Sequence, residues 1–203
     1  MTRLQANLFL LMSGAIWGAG FVAQSTAMDS IGPMWFIGLR FAIATAVAAP
    51  LALWEHRKAE QPMPTSSLRN FLWIGLALFA GAMTQQLGLM TTSVTNSGFL
   101  TGLYVVFVPM LTVVFLRRKP HWVIWPAAGL ALLGIFLLSG GTLAGLNRGD
   151  VLTIICAVFW ALQVMLVGIF VGSTGRPMLL SMVQFAVCAV LGCIAGAIFE
   201  PLD

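Results

Sequence analysis

Seven long apolar stretches, separated by short polar breaks, constrain the fold of this chain more than any other feature. They run over residues 7–23, 33–54, 68–89, 97–116, 122–138, 151–171 and 178–199. Each is close to the roughly 20 residues that an α-helix needs to cross the hydrocarbon core of a bilayer. Within lipid, a helix satisfies all its backbone hydrogen bonds inside one segment. We therefore predict an all-α, polytopic membrane protein with about seven transmembrane helices.

Composition excludes the soluble alternative. Hydrophobic residues make up 60% of the 203 residues and charged residues only 8%, whereas a soluble domain carries about 25% charged residues. The mean hydropathy of +0.98 agrees. We expect the lipid bilayer to be the main surroundings of this chain.

The positive charges predict the orientation of the helices. Arg148 alone falls in the breaks on one side of the membrane, and the breaks on the other side hold Arg3, Arg57, Lys58, Arg69, Arg117, Arg118, Lys119 and Arg176. The positive-inside rule then places the N-terminus in the cytoplasm and the C-terminus of this chain on the extracytoplasmic side. The net charge of +4 follows from this topology, so we predict no nucleic-acid partner.

An internal repeat relates the first two stretches to the last two. Trp17 aligns with Trp160 at an offset of 143, Arg40-Phe41-Ala42 aligns with Gln184-Phe185-Ala186 at 144, and Glu55 aligns with Glu200 at 145. The repeat then holds five spans, and an odd number inverts the second copy in the membrane. We predict a five-helix repeat at 1–140, an extracytoplasmic linker at 141–150, and the first two helices of a second, inverted repeat at 151–203. We expect a fragment, a truncated reading frame, or a chain that borrows helices from a partner.

Several segments together resemble one family over the whole chain. They are Ala15-Ile16-Trp17-Gly18-Ala19-Gly20-Phe21, Leu39-Arg40-Phe41, Thr91-Thr92-Ser93-Val94-Thr95-Asn96-Ser97-Gly98-Phe99-Leu100-Thr101, Phe107-Val108-Pro109, Gly129-Leu130-Ala131-Leu132-Leu133-Gly134 and Gly149-Asp150. Their order resembles the EamA-type transporters of the drug/metabolite transporter superfamily. The family often carries a Glu just after the fourth helix, and Arg117-Arg118-Lys119-Pro120 occupies that place here.

The resemblance implies a function. Members are ten-helix carriers of the inner or plasma membrane, with two inverted repeats around a central cavity, and many export metabolites such as amino acids. The chain is thus expected to carry or export a small amphipathic solute by alternating access, in the plasma (cell inner) membrane. A homodimer or further helices would be needed to complete the transporter. The alternative is a membrane protein that serves packing or assembly without transport.

The placement of the reactive side chains argues against an enzyme. Both histidines, His56 and His121, and every acid fall outside the predicted spans or at their ends, so no catalytic set is assembled at a common depth. We predict no cofactor and no metal. Because no acid lies inside a span, we also predict facilitated transport or exchange, or coupling through helices that this chain lacks.

Candidate cavity residues are the large polar side chains within the apolar stretches. Polar groups at helical spacing mark a face turned away from lipid. The candidates are Trp17, Gln24, Arg40, Gln85, Thr101, Tyr104, Trp160 and Gln163. The Gly and Ser residues on the same faces are more typical of close helix packing.

Arg40 is the charge clearly inside a predicted span. One interpretation is that its side chain reaches the nearby membrane surface. The other is that it pairs with an anionic or zwitterionic solute. Asp29 is its nearest acid in sequence and a candidate structural partner.

Two residues predict local helix features. Pro109 removes a backbone hydrogen bond inside the fourth span, which predicts a hinge there, although membrane helices also tolerate proline without a gating role. Asp150 precedes the sixth stretch, where the sequence predicts an N-cap.

Overall fold

The computed structural model describes residues 2–28, 30–59, 63–117, 121–138 and 146–200. These residues form eight α-helices and no strand. The helices are α1 (Arg3–Ala27), α2 (Pro33–Lys58), α3 (Thr65–Leu89), α4 (Val94–Gly102), α5 (Tyr104–Leu116), α6 (Ile124–Leu138), α7 (Arg148–Thr174) and α8 (Pro177–Phe199).

The lengths and compositions of these helices confirm a polytopic helical membrane protein. Within the described ranges, six helical segments are long and apolar enough to cross a membrane, and α4 with α5 counts as one of them. A shorter apolar helix adds a seventh segment at Ile124–Gly134. The prediction of about seven spans is therefore confirmed.

The fourth predicted span is interrupted at Leu103, between α4 and α5. The Leu103 N–H donates to the Leu100 carbonyl at 3.2 Å, and the Val106 N–H donates to the Leu103 carbonyl at 2.9 Å. These bonds span three residues, which tightens the turn relative to an α-helix. Pro109 lies further along, inside α5. A hinge at Pro109 stays a prediction, and the break lies six residues before it.

The helix starts agree with the sequence at two prolines and differ at α7. Pro33 and Pro177 stand in the first turns of α2 and α8, where a missing N–H costs little. The prediction that Asp150 is the N-cap of α7 is wrong. The cap is Asn147, and Asp150 occupies the third helical position of a capping box.

Helices α2 and α8 form the most extensive contact of the described structure, and α3 packs against both α7 and α8. Glycine permits the close approach of α2 to α8: a Cβ on Gly38 would lie 2.7 Å from the Cys193 backbone nitrogen. Helices α4 and α5 pack on α7, whereas α1 makes few contacts and leaves most of its surface exposed. The packed centre is thus built from α2, α3, α7 and α8.

Candidate functional site

Trp17 of α1 and Trp160 of α7 meet across the bundle. Their ring centroids lie 5.3 Å apart with a tilt of 52°. Gly81 of α3 borders the indole, since a Cβ there would lie 3.3 Å from Trp160 Cδ1. The Trp160 Nε1 atom is buried and donates to no acceptor among the described residues. The structure therefore brings together the two tryptophans that the sequence repeat aligns.

Gln85 and Thr101 form a buried hydrogen bond next to this pair. The Gln85 Nε2 atom donates to the Thr101 hydroxyl at 3.0 Å, and both side chains are almost fully buried. The Cys156 thiol of α7 lies beside Gln85, Thr101 and Trp160. Three helices, α3, α4 and α7, thus place polar atoms at one point of the interior.

A second amide pair joins α7 to α8. The Gln163 Nε2 atom donates to Gln184 Oε1 at 2.9 Å, and both residues are buried. Gln184 was missing from the candidates, although the repeat identified it as the counterpart of Arg40. The sequence could have identified Gln184, because an amide inside an apolar span costs free energy unless it finds a hydrogen-bond partner.

Several buried polar atoms have no hydrogen-bond partner among the described residues. Gln86 is fully buried, and neither its Nε2 nor its Oε1 is paired. The others are Gln24 Oε1, Ser97 Oγ and Trp160 Nε1. An unpaired buried group costs about 1–3 kcal/mol. A solute or an ordered water that supplies the missing partner recovers that cost. Gln86 was also absent from the candidates, because its neighbour Gln85 matched the polar spacing instead.

Arg40 lies in an aromatic setting on α2. Its Cζ atom is 4.9 Å from the Phe41 ring centroid and 5.3 Å from that of Phe36, which are cation–π distances. Phe41 in turn lies 5.7 Å from Phe185 of α8. No carboxylate of the described ranges pairs with the guanidinium, and Asp29, the predicted partner, lies outside those ranges.

One core cluster connects Arg40's surroundings to the tryptophan pair. It contains Ile37, Phe41, Leu78, Ala82 and Cys188, and both Trp160 and Phe185 pack against it. Arg40 and Trp160 thus border the same core.

Two predicted residues lie away from these contacts. Tyr104 begins α5 and packs against a cluster of Leu100, Leu103 and Ala157. Pro109 follows within α5.

An apolar groove of about 600 Å³ runs between α1, α4 and α6, and its lining includes Gly18, Gly98, Gly102 and Gly134. None of the predicted site residues lines this groove.

The described acids lie at helix ends, as predicted. Asp150 is buried in the first turn of α7, where it accepts hydrogen bonds from the Thr92 hydroxyl and from the Asn147 N–H, the latter at 3.0 Å. Glu55 lies in the last turn of α2, and Glu200 directly follows α8. The remaining acids, Asp29, Glu60 and Asp203, lie outside the described residues.

The chemistry assembled here is hydrogen bonding and aromatic contact. Amides, a hydroxyl and indoles are all neutral, and the one guanidinium stands beside phenyl rings. Such groups suit recognition of a small solute with both polar and apolar parts.

Comparisons with known proteins agree with this arrangement. The model of the EamA-like transporter family matches residues 4–140. An uncharacterized transporter of Archaeoglobus fulgidus is 32% identical over 191 residues, which cover 91% of this chain and 56% of the relative. The uncharacterized inner membrane transporter YedA of Escherichia coli K12 is 29% identical over 155 residues, covering 72% of this chain and 47% of that protein.

No solved structure matches the chain. The chain spans about half the length of the curated relatives it matches. The family match covers well over half of the chain, and the helices have the lengths and hydropathies of membrane spans. This chain therefore belongs to the EamA-like transporter family and is a multi-pass membrane protein.

Proposed function

We propose that this chain contributes the solute-binding helices of a transporter that carries a small amphipathic metabolite by alternating access. The observation that carries the proposal is the buried polar cluster around Gln85, Thr101 and Trp160, which lies between three apolar spans. A protein that only packs in lipid gains little from polar side chains in its interior. A transporter needs them, because a solute must exchange its water contacts for protein contacts.

The proposed mechanism uses an inverted repeat. We assign residues 1–140 to the first repeat, 141–150 to a linker and 151–203 to the beginning of the second. The contact between Trp17 and Trp160 supports this assignment, because equivalent residues meet only near the axis that relates two repeats. Transporters built on inverted repeats expose one central site to each side in turn.

Arg40 is proposed to bind the anionic group of an amino-acid-like solute. Its guanidinium contacts two phenyl rings and no described carboxylate. A solute carboxylate would supply a bidentate acceptor. Gln24, Gln163 and Tyr104 are proposed as further lining residues, and Pro109 as a hinge.

We infer facilitated transport or exchange, because the described acids lie at the ends of helices rather than in the middle of spans. The proposed location is the plasma membrane, as for the inner membrane transporter named among the relatives. The proposed orientation has a cytoplasmic N-terminus and an extracytoplasmic end of this chain, on the distribution of Lys and Arg.

Further helices are proposed to complete the transport pathway. Helix α7, the repeat counterpart of α1, is enclosed by α3, α4 and α5, whereas α1 lies largely uncovered. Counterparts of α3 and α4 would fill that space. They would come from a longer polypeptide or from a second copy of the chain.

The test is solute flux into proteoliposomes made with the full-length protein, using a panel of labelled amino acids, sugars and organic cations. We expect uptake of at least one amphipathic solute, and a loss of about tenfold or more in Gln85→Leu, which removes the amide at a cost of about 1.4 kcal/mol or more. Trp125→Leu, at an exposed position on α6, is the matched control. Absence of both flux and solute-dependent thermal stabilisation in the full-length protein would favour the assembly alternative.

A further inference from the structure

Helices α2 and α8 begin without capping side chains of their own. The N-cap residue of α2 is Gly32 and that of α8 is Arg176, and neither makes a side-chain cap hydrogen bond. Each helix has proline in its first turn. The N–H groups that follow have no acceptor within the helix, and a side chain from another element can supply one.

At one end of the pair, the partner comes from α8. Glu200 directly follows α8, and its carboxylate accepts hydrogen bonds from the Met34 N–H at 3.1 and 3.2 Å and from the Trp35 N–H at 3.1 Å. The Trp35 indole N–H donates to the Glu200 backbone carbonyl at 2.7 Å. The end of α8 and the start of α2 thus satisfy each other's free backbone groups.

At the other end, the partner comes from α2. The Glu55 carboxylate accepts from the Met178 N–H at 3.3 Å and from the Leu179 N–H at 2.9 Å. A carboxylate at a helix N-terminus is favoured both by charge-assisted hydrogen bonds and by the helix dipole. The two contacts are equivalent, since the same two positions of each helix donate and the acid near the end of each helix accepts.

Between these ends the two helices touch closely. A Cβ on Gly192 would lie 2.6 Å from the Gly38 nitrogen, and a Cβ on Gly196 would lie 2.8 Å from Trp35 Cδ2. Small residues allow this approach. The helices are therefore joined in the middle by packing and at both ends by carboxylates.

We propose that Glu55 and Glu200 are reciprocal interhelical N-caps, which clamp α2 and α8 into one unit at both faces of the membrane. Both caps are formed in the same structure, so they join α2 to α8 at both ends at the same time. This inference does not depend on the proposed transport, because each cap is defined by backbone hydrogen bonds.

Gly32 offers a direct test of the cap at the outer end of α2. A Cβ on Gly32 would overlap the Glu200 carboxylate, so a serine there must displace the carboxylate from the Met34 and Trp35 N–H groups. The backbone of Gly32 is extended, as an N-cap serine requires. A serine hydroxyl in place of the carboxylate would cap the same N–H groups from within α2.

The experiment measures the thermal unfolding midpoint of the full chain in detergent for Glu200→Ala, Gly32→Ser and the double variant. We expect each single variant to lower Tm by about 2–6 °C. The double variant should unfold at a higher temperature than either, because the collision is removed and the cap is restored. Additive losses in the double variant, or an unchanged Tm in Glu200→Ala, would overturn the proposal.

The matched control combines Gly32→Ser with Glu55→Ala, whose cap lies at the opposite end of the pair. Here we expect additive losses, because the new serine does not reach the start of α8. Glu200→Gln removes the negative charge but keeps the length of the side chain and one acceptor oxygen. It should therefore lose less stability than Glu200→Ala. If Tm recovers in the Gly32→Ser, Glu55→Ala double variant, serine stabilises the protein by a route other than capping α2. That result would contradict the proposed cap.

A second measurement reports the separation of the helices. Cys193 is half-buried on α8 beside Gly38, and its alkylation rate is followed by peptide mass spectrometry. We expect Glu200→Ala to raise that rate at least several-fold, with the fully buried Cys188 as an internal reference. An unchanged alkylation rate at Cys193 would show that α2 and α8 stay in contact without the Glu200 cap, and would overturn the proposal.

Discussion

The rings of Trp17 and Trp160 lie 5.3 Å apart, although 143 positions separate the two residues in the chain. The contact joins α1, which has little other packing, to α7, which lies in the centre of the described bundle. Such an aromatic pair contributes about 0.5–1.5 kcal/mol beyond its buried area. We therefore expect it to help position α1 against α7.

Replacing Trp17 tests this role. We expect Trp17→Ala to lower Tm by about 2–4 °C through loss of the aromatic contact, and Trp17→Phe to retain most of the stability. Thermal unfolding in detergent provides the measurement. Trp122→Ala, at a more exposed tryptophan whose ring lies beside the neighbouring His121, is the control and should change Tm less. An equal loss in both alanine variants would show that the contact with Trp160 is not what matters.

The hydrogen bond between Gln85 and Thr101 predicts a non-additive pair of substitutions. Gln85→Leu and Thr101→Val each leave a buried group without a partner, so each should destabilise the fold by about 1–3 kcal/mol. The double variant removes both groups and should lose clearly less than the sum of the two. Denaturant unfolding of the four proteins measures the coupling. Simple additivity would mean that the bond contributes nothing to the folded state.

Glycine contacts predict opposite effects at two helical positions. A Cβ on Gly88 would lie 2.7 Å from Thr153 Oγ1 and 2.9 Å from the Gly149 carbonyl, so Gly88→Ala should destabilise the fold by about 1–3 kcal/mol. Gly14 meets nothing within 4 Å, and Gly14→Ala should be neutral or slightly stabilising, because alanine favours the helix. Thermal unfolding distinguishes the two. A stable Gly88→Ala variant would contradict the close contact of α3 with α7.

The role proposed for Arg40 predicts a selective loss. In the full-length transporter, Arg40→Gln should weaken uptake of a zwitterionic solute by about tenfold, the equivalent of about 1.4 kcal/mol. Uptake of the same solute with its carboxylate amidated should change little. Arg40→Lys keeps the charge but not the bidentate geometry, and should be intermediate. Equal losses for both solutes would indicate that Arg40 stabilises the fold rather than binding a carboxylate.

The exact lengths of the helices were beyond the reach of hydrophobicity. Helix α1 extends from Arg3 to Ala27, whereas its apolar stretch covers 7–23, because polar residues continue a helix beyond the hydrocarbon layer. Helix α7 begins at Arg148 rather than at 151, since Asn147 and Asp150 together form the capping box. The break at Leu103 was also missed, because the threonine and glycine that precede it also occur inside unbroken membrane helices.

Hydrophobicity was sufficient to predict a polytopic helical membrane protein with about seven spans. Those properties depend on the cost of moving each residue from water into lipid, which is a property of the residue itself. Pairings were decided by the packing of helices distant in sequence. Gln163 of α7 meets Gln184 of α8. Glu55 and Glu200 each cap the other's helix, because glycine allows α2 and α8 to approach closely. Such contacts depend on how helices rotate and cross, and the sequence of a single span carries no record of either.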